Sequence, residues 1–272
     1  MRALIVGVCM AGAIAAAVAA QDKDAAFEVS TVKANKSADT NGMLRRLPGG
    51  RMTATNMPLR PMITFAYQLA QYQLVGGPSW IASERYDVVA KMDGNPAPVA
   101  PGTGPDPMQL ALRTLLADRF KLKVHRETRE MDIYALVMAK PGGGPGPNLK
   151  PTTQDCAAAA AAAQRGQPPP PPGSGAPFCG IQMNDVSIHF GGLAASQIAV
   201  ALSGSSRRMV VDRTGLSGSW DFDLTFAPER DAAADAPSFF TAVQEQLGLK
   251  LESTKGPVDV LVIDSIEKPV DD

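Results

Sequence analysis

The chain has 272 residues, enough for one large domain or two smaller ones, and 45% apolar residues, enough for a packed core even with Ala lying in low-complexity tracts. Its formal charge of −1 becomes about −2 without a leader carrying Arg2, since 25 basic residues (26 less one) then face 27 acidic ones. No clustered basic excess is present, which argues against nucleic acid and anionic lipid as partners.

The first twenty residues predict a signal peptide. Arg2 supplies a positive start, Ala3 to Ala16 is apolar, and Ala17-Val18-Ala19-Ala20 precede polar Gln21-Asp22 as a cleavage site requires. An uncleaved anchor fits less well, because the run is short for a span and rich in Ala and Gly. Cys9 leaves with the leader. The mature protein is expected to be exported, periplasmic or extracellular, with no membrane span remaining.

Phe27 to Lys33 alternates as a strand, and Gly49-Gly50 leads into a second at Arg51 to Asn56. Asn56 is the expected N-cap, with Pro58 in the first turn, of a helix through Leu69 whose apolar face is Leu59, Met62, Ile63, Ala66 and Leu69. Tyr72 to Val75 and Arg85 to Met92 read as strands around the turn Gly76-Gly77-Pro78-Ser79. The Pro/Gly run from Asn95 to Pro107 is a linker. Next comes a helix from Met108 to Asp118 with Leu110, Leu112, Leu115 and Leu116 as its buried set. FKLKVHRETREMDIYALVMAK follows as two alternating strands joined by a charged turn, and Pro141 to Pro147 closes a first module over residues 21–147.

Residues 148–182 form an Ala/Pro-rich insert or linker bounded by Cys156 and Cys179. Two cysteines remaining in an oxidising compartment favour a disulfide, and closing this loop would contribute roughly 3 kcal/mol in the chain-entropy account. A metal or redox pair is the sharper alternative, but the spacing is far from C-x-x-C and no histidine accompanies the pair.

A second module over residues 183–272 repeats the order. Asp185 to Phe190 matches the Arg51–Asn56 strand, Leu193 to Leu202 the first helix, Arg208 to Asp212 and Ser219 to Phe226 the next strand pair, and Ser238 to Leu247 the second helix. In the last two strands Ile133-Tyr134-Ala135-Leu136-Val137 lies over Val258-Asp259-Val260-Leu261-Val262. The fold class is therefore α+β: an internal duplication of two β-α-β-β-α-β-β modules with mainly antiparallel sheets.

Several motifs carry a resemblance. They are Asn56-Met57-Pro58-Leu59 before a helix, Gly77-Pro78-Ser79-Trp80 with Tyr86-Asp87-Val88, and Leu115 to Leu122 followed by His125-Arg126-Glu127-Thr128. Val211 to Gly218 and Gln246 to Leu251 belong with them. Together they resemble a large family of exported, uncharacterised proteins of soil-associated bacteria, whose domain is also appended to antirepressor-type membrane metallopeptidases. The resemblance implies no established activity, substrate or catalytic residue. The metallopeptidase H-E-x-x-H is missing from this chain. A looser likeness of fold is to the β-α-β-β interaction domains at the N-termini of secretins and TonB-dependent receptors.

The polar candidates are few. His125 with Glu127 or Glu130 would make a general base, but no nucleophile is near in sequence, and a solvated hairpin with cross-strand ion pairs accounts for the same residues. His189 alternates with Ile188 and Phe190, and two isolated histidines make a poor zinc site. Asp212, Arg213, Thr214 and Gly215 read as a tight turn holding two strands in register or as an anion or ligand loop, with Gly215 and Gly218 supplying positive φ. Ser203-Gly204-Ser205-Ser206 lacks the G-x-S-x-G frame, and Ser217 has no histidine partner in sight. Asp231, Asp235, Asp271 and Asp272 are too scattered for a calcium loop. Trp80 and Trp220 occupy matching places and read as core packing, or as aromatics of a shared ligand cleft if exposed.

No catalytic, metal or cofactor residues are expected. The leading reading is a non-enzymatic binding or interaction module of the cell envelope, with an envelope protein or small ligand as partner. The alternatives are an exported hydrolase or carbohydrate-active enzyme using carboxylates such as Asp87, Asp212 or Asp223, and an envelope sensor domain.

Overall fold

Period-two alternation through the early strands buries one face of a sheet and leaves the other to solvent. The computed structural model describes residues 25–94, 96, 104–164, 179–184, 186–227 and 236–270. The leader with Cys9, much of the linker and insert, and Asp185, Asp231, Asp235, Asp271 and Asp272 lie outside them. Strands β1 (Val29–Asn35), β2 (Met43–Leu47), β3 (Arg51–Pro58) and β5 (Arg85–Lys91) make an antiparallel sheet ordered β1-β5-β3-β2. Met52 and Ala54 of β3, with Tyr86, Val88 and Ala90 of β5, point into its core.

Helices α1 (Leu59–Tyr67) and α3 (Pro107–Phe120) supply the rest of this core through Leu59, Met62, Ile63 and Ala66, and through Ala111, Leu112, Leu115, Leu116 and Phe120. Each large apolar side chain so buried contributes about 1.5–3 kcal/mol. Leu110, expected among the buried set, is only half-buried; Met108 and Ala111 are buried with the others. Helix α3 begins where Asp106 accepts from the amides of Met108 and Gln109, while the Gln109 side chain reaches back to the Asp106 amide. It ends at Lys121, whose left-handed φ of 50° closes the cap.

Asn56 is not the N-cap of α1. That position falls to Pro58, and no side chain caps it. Asn56 instead sits at an irregularity in the β3–β5 ladder with φ 52°. Its amide donates to Asp87 Oδ1 (2.8 Å) and its side chain donates to the Asp39 and Asn41 carbonyls. The residue is buried because it organises a bulge, a role that its cap-like composition conceals.

The two hairpins expected in residues 120–140 and 247–266 are each one continuous strand. β6 (Lys123–Met138) and β12 (Leu249–Ser265) run without a turn through their charged midsections. They lie side by side in a sheet ordered β10-β6-β12-β4, where β4 (Leu74–Gly76) pairs parallel with β12 and β10 (Val210–Asp212) pairs parallel with β6. The physical reason is that Glu127, Thr128 and Arg129 are as compatible with an exposed strand face as with a turn. No Gly, Pro or Asn breaks the run in β6.

Between α1 and β5 lie a 3-10 turn (Gln71–Gln73), β4 and a short helix α2 (Trp80–Ser83). The later elements are β7 (Leu149–Pro151), α4 (Cys156–Gln164), β8 (Gly180–Met183), β9 (Ser187–Ala194), α5 (Ala195–Ser206), β10, β11 (Ser219–Thr225) and α6 (Phe239–Leu247). A third sheet, antiparallel and ordered β7-β11-β9-β8, packs Phe190 and Phe222 (centroids 4.2 Å apart) into a second core with Ile198, Leu202, Val243 and Leu247. Part of the insert is helical, as a run of Ala favours. A disulfide joins Cys156 to Cys179 with Cα atoms 5.5 Å apart.

The α+β class and the antiparallel character of the first and third sheets stand as read. The order β3-α1-β4-β5-α3-β6 recurs as β9-α5-β10-β11-α6-β12, apart from α2. The register of the recurrence differs from that taken from sequence. Lys121 and Gly248 both close their helices at positive φ, and the same interval further on Tyr134 meets β10 and Leu261 meets β4. Tyr134 therefore corresponds to Leu261, not Asp259, and exposed and half-buried positions alternate identically from Lys123 to Thr128 and from Lys250 to Lys255.

Among the described residues the fold divides into two compact units. The first takes the residues through Leu69, Leu74–His125 and those from Leu261 on; the second takes Ala70–Gln73 and Arg126–Val260. These bounds differ from modules of residues 21–147 and 183–272, because β6 and β12 each contribute one end to either unit.

Candidate functional site

The second unit contains a pocket of about 320 Å3 built from four stretches of chain. The 3-10 turn brings Tyr72, β6 brings Met131 and Asp132, the segment after α5 brings Arg207, Arg208 and Met209, and β12 brings Val258. Each stretch is fixed locally. Gln73 turns back to accept from the Ala70 amide and donates to the Asp259 carbonyl, which ties the Tyr72 turn to β12. Arg207 ends α5 in the left-handed region (φ 56°), and Ser206 Oγ donates to the Arg208 carbonyl, so the chain reverses tightly before β10.

Tyr72 is half-buried against Ser203, a serine inside α5 that donates to the Ala199 carbonyl and accepts from the Val210 amide. Burial pushes the Tyr72 phenol above its ordinary 10.0, an effect the Ser203 hydrogen bond partly offsets. The Arg208 guanidinium lies 5.2 Å over the Tyr134 ring, whose neighbour is the exposed Phe240 at 5.5 Å. The pocket thus combines an apolar wall of Met131, Met209 and Val258 with two guanidinium groups, one carboxylate and one protonated phenol.

The residues singled out in the sequence lie elsewhere. His125 Nδ1 is 2.7 Å from Asp264 Oδ1 on the neighbouring strand, and Glu127 pairs with Arg129 along its own strand. Glu127 and Glu130, the carboxylates expected to orient His125, lie on the same continuous strand β6 as His125. His189 pairs with Asp223 across the β9–β11 ladder. Asp87 accepts from both Asn35 Nδ2 (2.9 Å to each oxygen) and the Asn56 amide. Asp212 accepts from the amide and hydroxyl of Thr214, Thr214 Oγ1 accepts from the Leu216 amide, and Gly215 and Gly218 have φ of 73° and 80°. The Arg213 amide donates to the Leu136 carbonyl, docking that turn on β6.

Asp87, Asp212 and Asp223 thus sit on three different strands, each with its own local partners. Trp80 is half-buried on the first core with Lys268 Nζ 5.8 Å above its ring. Trp220 is buried in the second core and donates to the Ser217 carbonyl. Among the described residues no group of three His, Cys, Asp or Glu is placed to hold a metal ion, and no helix is long and apolar enough to cross a membrane.

Sequence reasoning passed over all seven lining residues of the pocket. Sequence alone places Tyr72 at the start of an expected strand, Arg208 and Met209 in the strand Arg208 to Asp212, and Val258 in the last strand. The one visible signal was the doublet Arg207-Arg208 directly after a Ser-rich helix end, two cations with no acidic neighbour within that helix.

Fold and site together define an α+β protein of mainly antiparallel sheets, disulfide-bridged, with a small amphoteric pocket in one of its two units. By sequence the chain belongs to the family described as Protein of unknown function (DUF3738), whose model matches residues 60–266, from the first turn of α1 to just past β12. No curated protein and no solved structure matches the chain.

Proposed function

We propose that the protein is an exported, non-enzymatic binding module of the cell envelope, and that its site is the pocket lined by Tyr72, Asp132 and Arg208. The observation that carries this reading is the pocket itself. Its volume of about 320 Å3 falls at the lower end of the roughly 300–1,000 Å3 typical of small-ligand sites, and its lining pairs an apolar wall with a few polar groups that would orient a guest. Export is supported by the predicted leader and by the Cys156–Cys179 bridge, a bond that persists in oxidising compartments. The polar groups that suggested catalysis take part in local structure: His125 and His189 each pair with an aspartate of a neighbouring strand, and Asp87 holds a bulge.

The test is a thermal-shift screen of the chain without its leader against small metabolites. A ligand that raises Tm for the wild type, but not for a pocket-filling Met209→Trp variant of unchanged basal Tm, is the expected result. Turnover of a hydrolase substrate that disappears in His125→Ala would overturn it.

A further inference from the structure

The lining of the pocket specifies the chemistry of its guest more narrowly than size and polarity do. Asp132 and Arg208 both line it, and they do not form an ion pair with each other. Among the described residues Asp132 makes no side-chain hydrogen bond or ion pair, and the Arg208 side chain has only its cation–π contact with Tyr134. That contact engages no hydrogen-bond acceptor, and a guanidinium with its N–H groups so available binds a carboxylate by two parallel hydrogen bonds. Asp132 offers the complementary acceptor for an ammonium group. A ligand bearing only a carboxylate meets the like charge of Asp132, and one bearing only an amine meets Arg208.

We infer that the pocket takes a zwitterionic ligand of the amino-acid or short-peptide class, with its carboxylate at Arg208, its ammonium at Asp132 and an apolar side chain against Met131, Met209 and Val258. Methionines are unbranched and adaptable, so two of them in the wall suit a range of apolar side chains over one fixed shape. The protonated Tyr72 phenol keeps the pocket from gaining a second negative charge up to alkaline pH. The inference rests on the reading of this pocket as a binding site.

Calorimetry on the wild-type chain without its leader separates the two levels. The probes are L-leucine, the dipeptide Leu-Leu, 4-methylpentanoic acid (no amine) and 3-methylbutylamine (no carboxylate). At least one zwitterion is expected to bind, with each single-charge analogue about tenfold weaker or more, the factor expected when one charged contact of about 1.4 kcal/mol is lost.

Asp132→Asn should weaken the zwitterion and improve the acid relative to it; Arg208→Gln should do the same for the amine. That crossover is not produced by damage to the fold. Analogues binding as tightly as the zwitterion overturn the inference. So does the absence of binding by all four probes when another small molecule binds in a Met209→Trp-sensitive way, and in that case the pocket reading survives. If no small molecule binds at all, the pocket reading fails as well.

Discussion

Asp87 shows how a single carboxylate can look catalytic in sequence and be structural in the fold. It accepts three hydrogen bonds, two from Asn35 and one from the Asn56 amide, at the point where the β3–β5 ladder slips. Asp87→Ala leaves the Asn56 amide without its acceptor, which costs about 1–3 kcal/mol, read as a lowered urea midpoint. Asp87→Asn keeps one acceptor oxygen and should lose less.

Tyr72 makes a second prediction at this scale. Its folded pKa lies above the unfolded 10.0, so its contribution to stability is complete below pH 10 and declines as pH rises from there through the folded value. Denaturant midpoints measured from pH 8 upward should therefore fall more steeply above pH 10 for the wild type than for Tyr72→Phe. Parallel curves would show that the phenol is not shielded. Both residues were visible in the sequence as chemical types. Their roles were not, because a hydrogen-bond acceptor and a catalytic acid are the same side chain until the neighbours are known.

At the scale of the element, β6 and β12 mark the largest departure from the sequence reading. Alternation is legible at both ends of each run, and the charged middle reads as a turn in sequence. Continuous strands should protect alternate amides between Glu127 and Met131 from hydrogen exchange, whereas a hairpin tip there would exchange rapidly throughout.

The disulfide offers a second element-level test. Gly192 of β9 has φ 69°, and a Cβ there would fall 2.1 Å from Cys156 Sγ. Gly192→Ala should therefore displace the bridge as well as strain the backbone by about 1–2 kcal/mol. Free thiols by non-reducing mass mapping, with a lowered Tm, are the expected readout. Replacing both cysteines by serine should cost up to about 3 kcal/mol. The helices were legible because their apolar spacing and their caps are local. The hydrogen bonds of β4 and β10 were not, since three-residue strands carry almost no pattern of their own.

For the whole molecule, the sequence suggests two modules in series, yet the first unit includes Leu261 and Ile263, both buried in its core, from the end of β12. A fragment of residues 25–147 lacks them and leaves β4 without its parallel partner. It should show no cooperative thermal transition, and appending residues 258–270 through a flexible linker should restore one. A fragment that melts cooperatively on its own would refute the assignment.

Composition, alternation and helical spacing by themselves determined the α+β class, the two principal helices of each half and their recurring order, because each rests on local periodicity that side-chain burial enforces. The bridge between Cys156 and Cys179 follows from cysteine number and the expected oxidising compartment. Tertiary structure alone decided that the supposed hairpins are single strands, that Asn56 shapes a bulge, and that Tyr72, Asp132 and Arg208 line one pocket. Those facts depend on which distant segments meet, and hydrogen bonds between residues far apart in sequence leave no periodic trace in either.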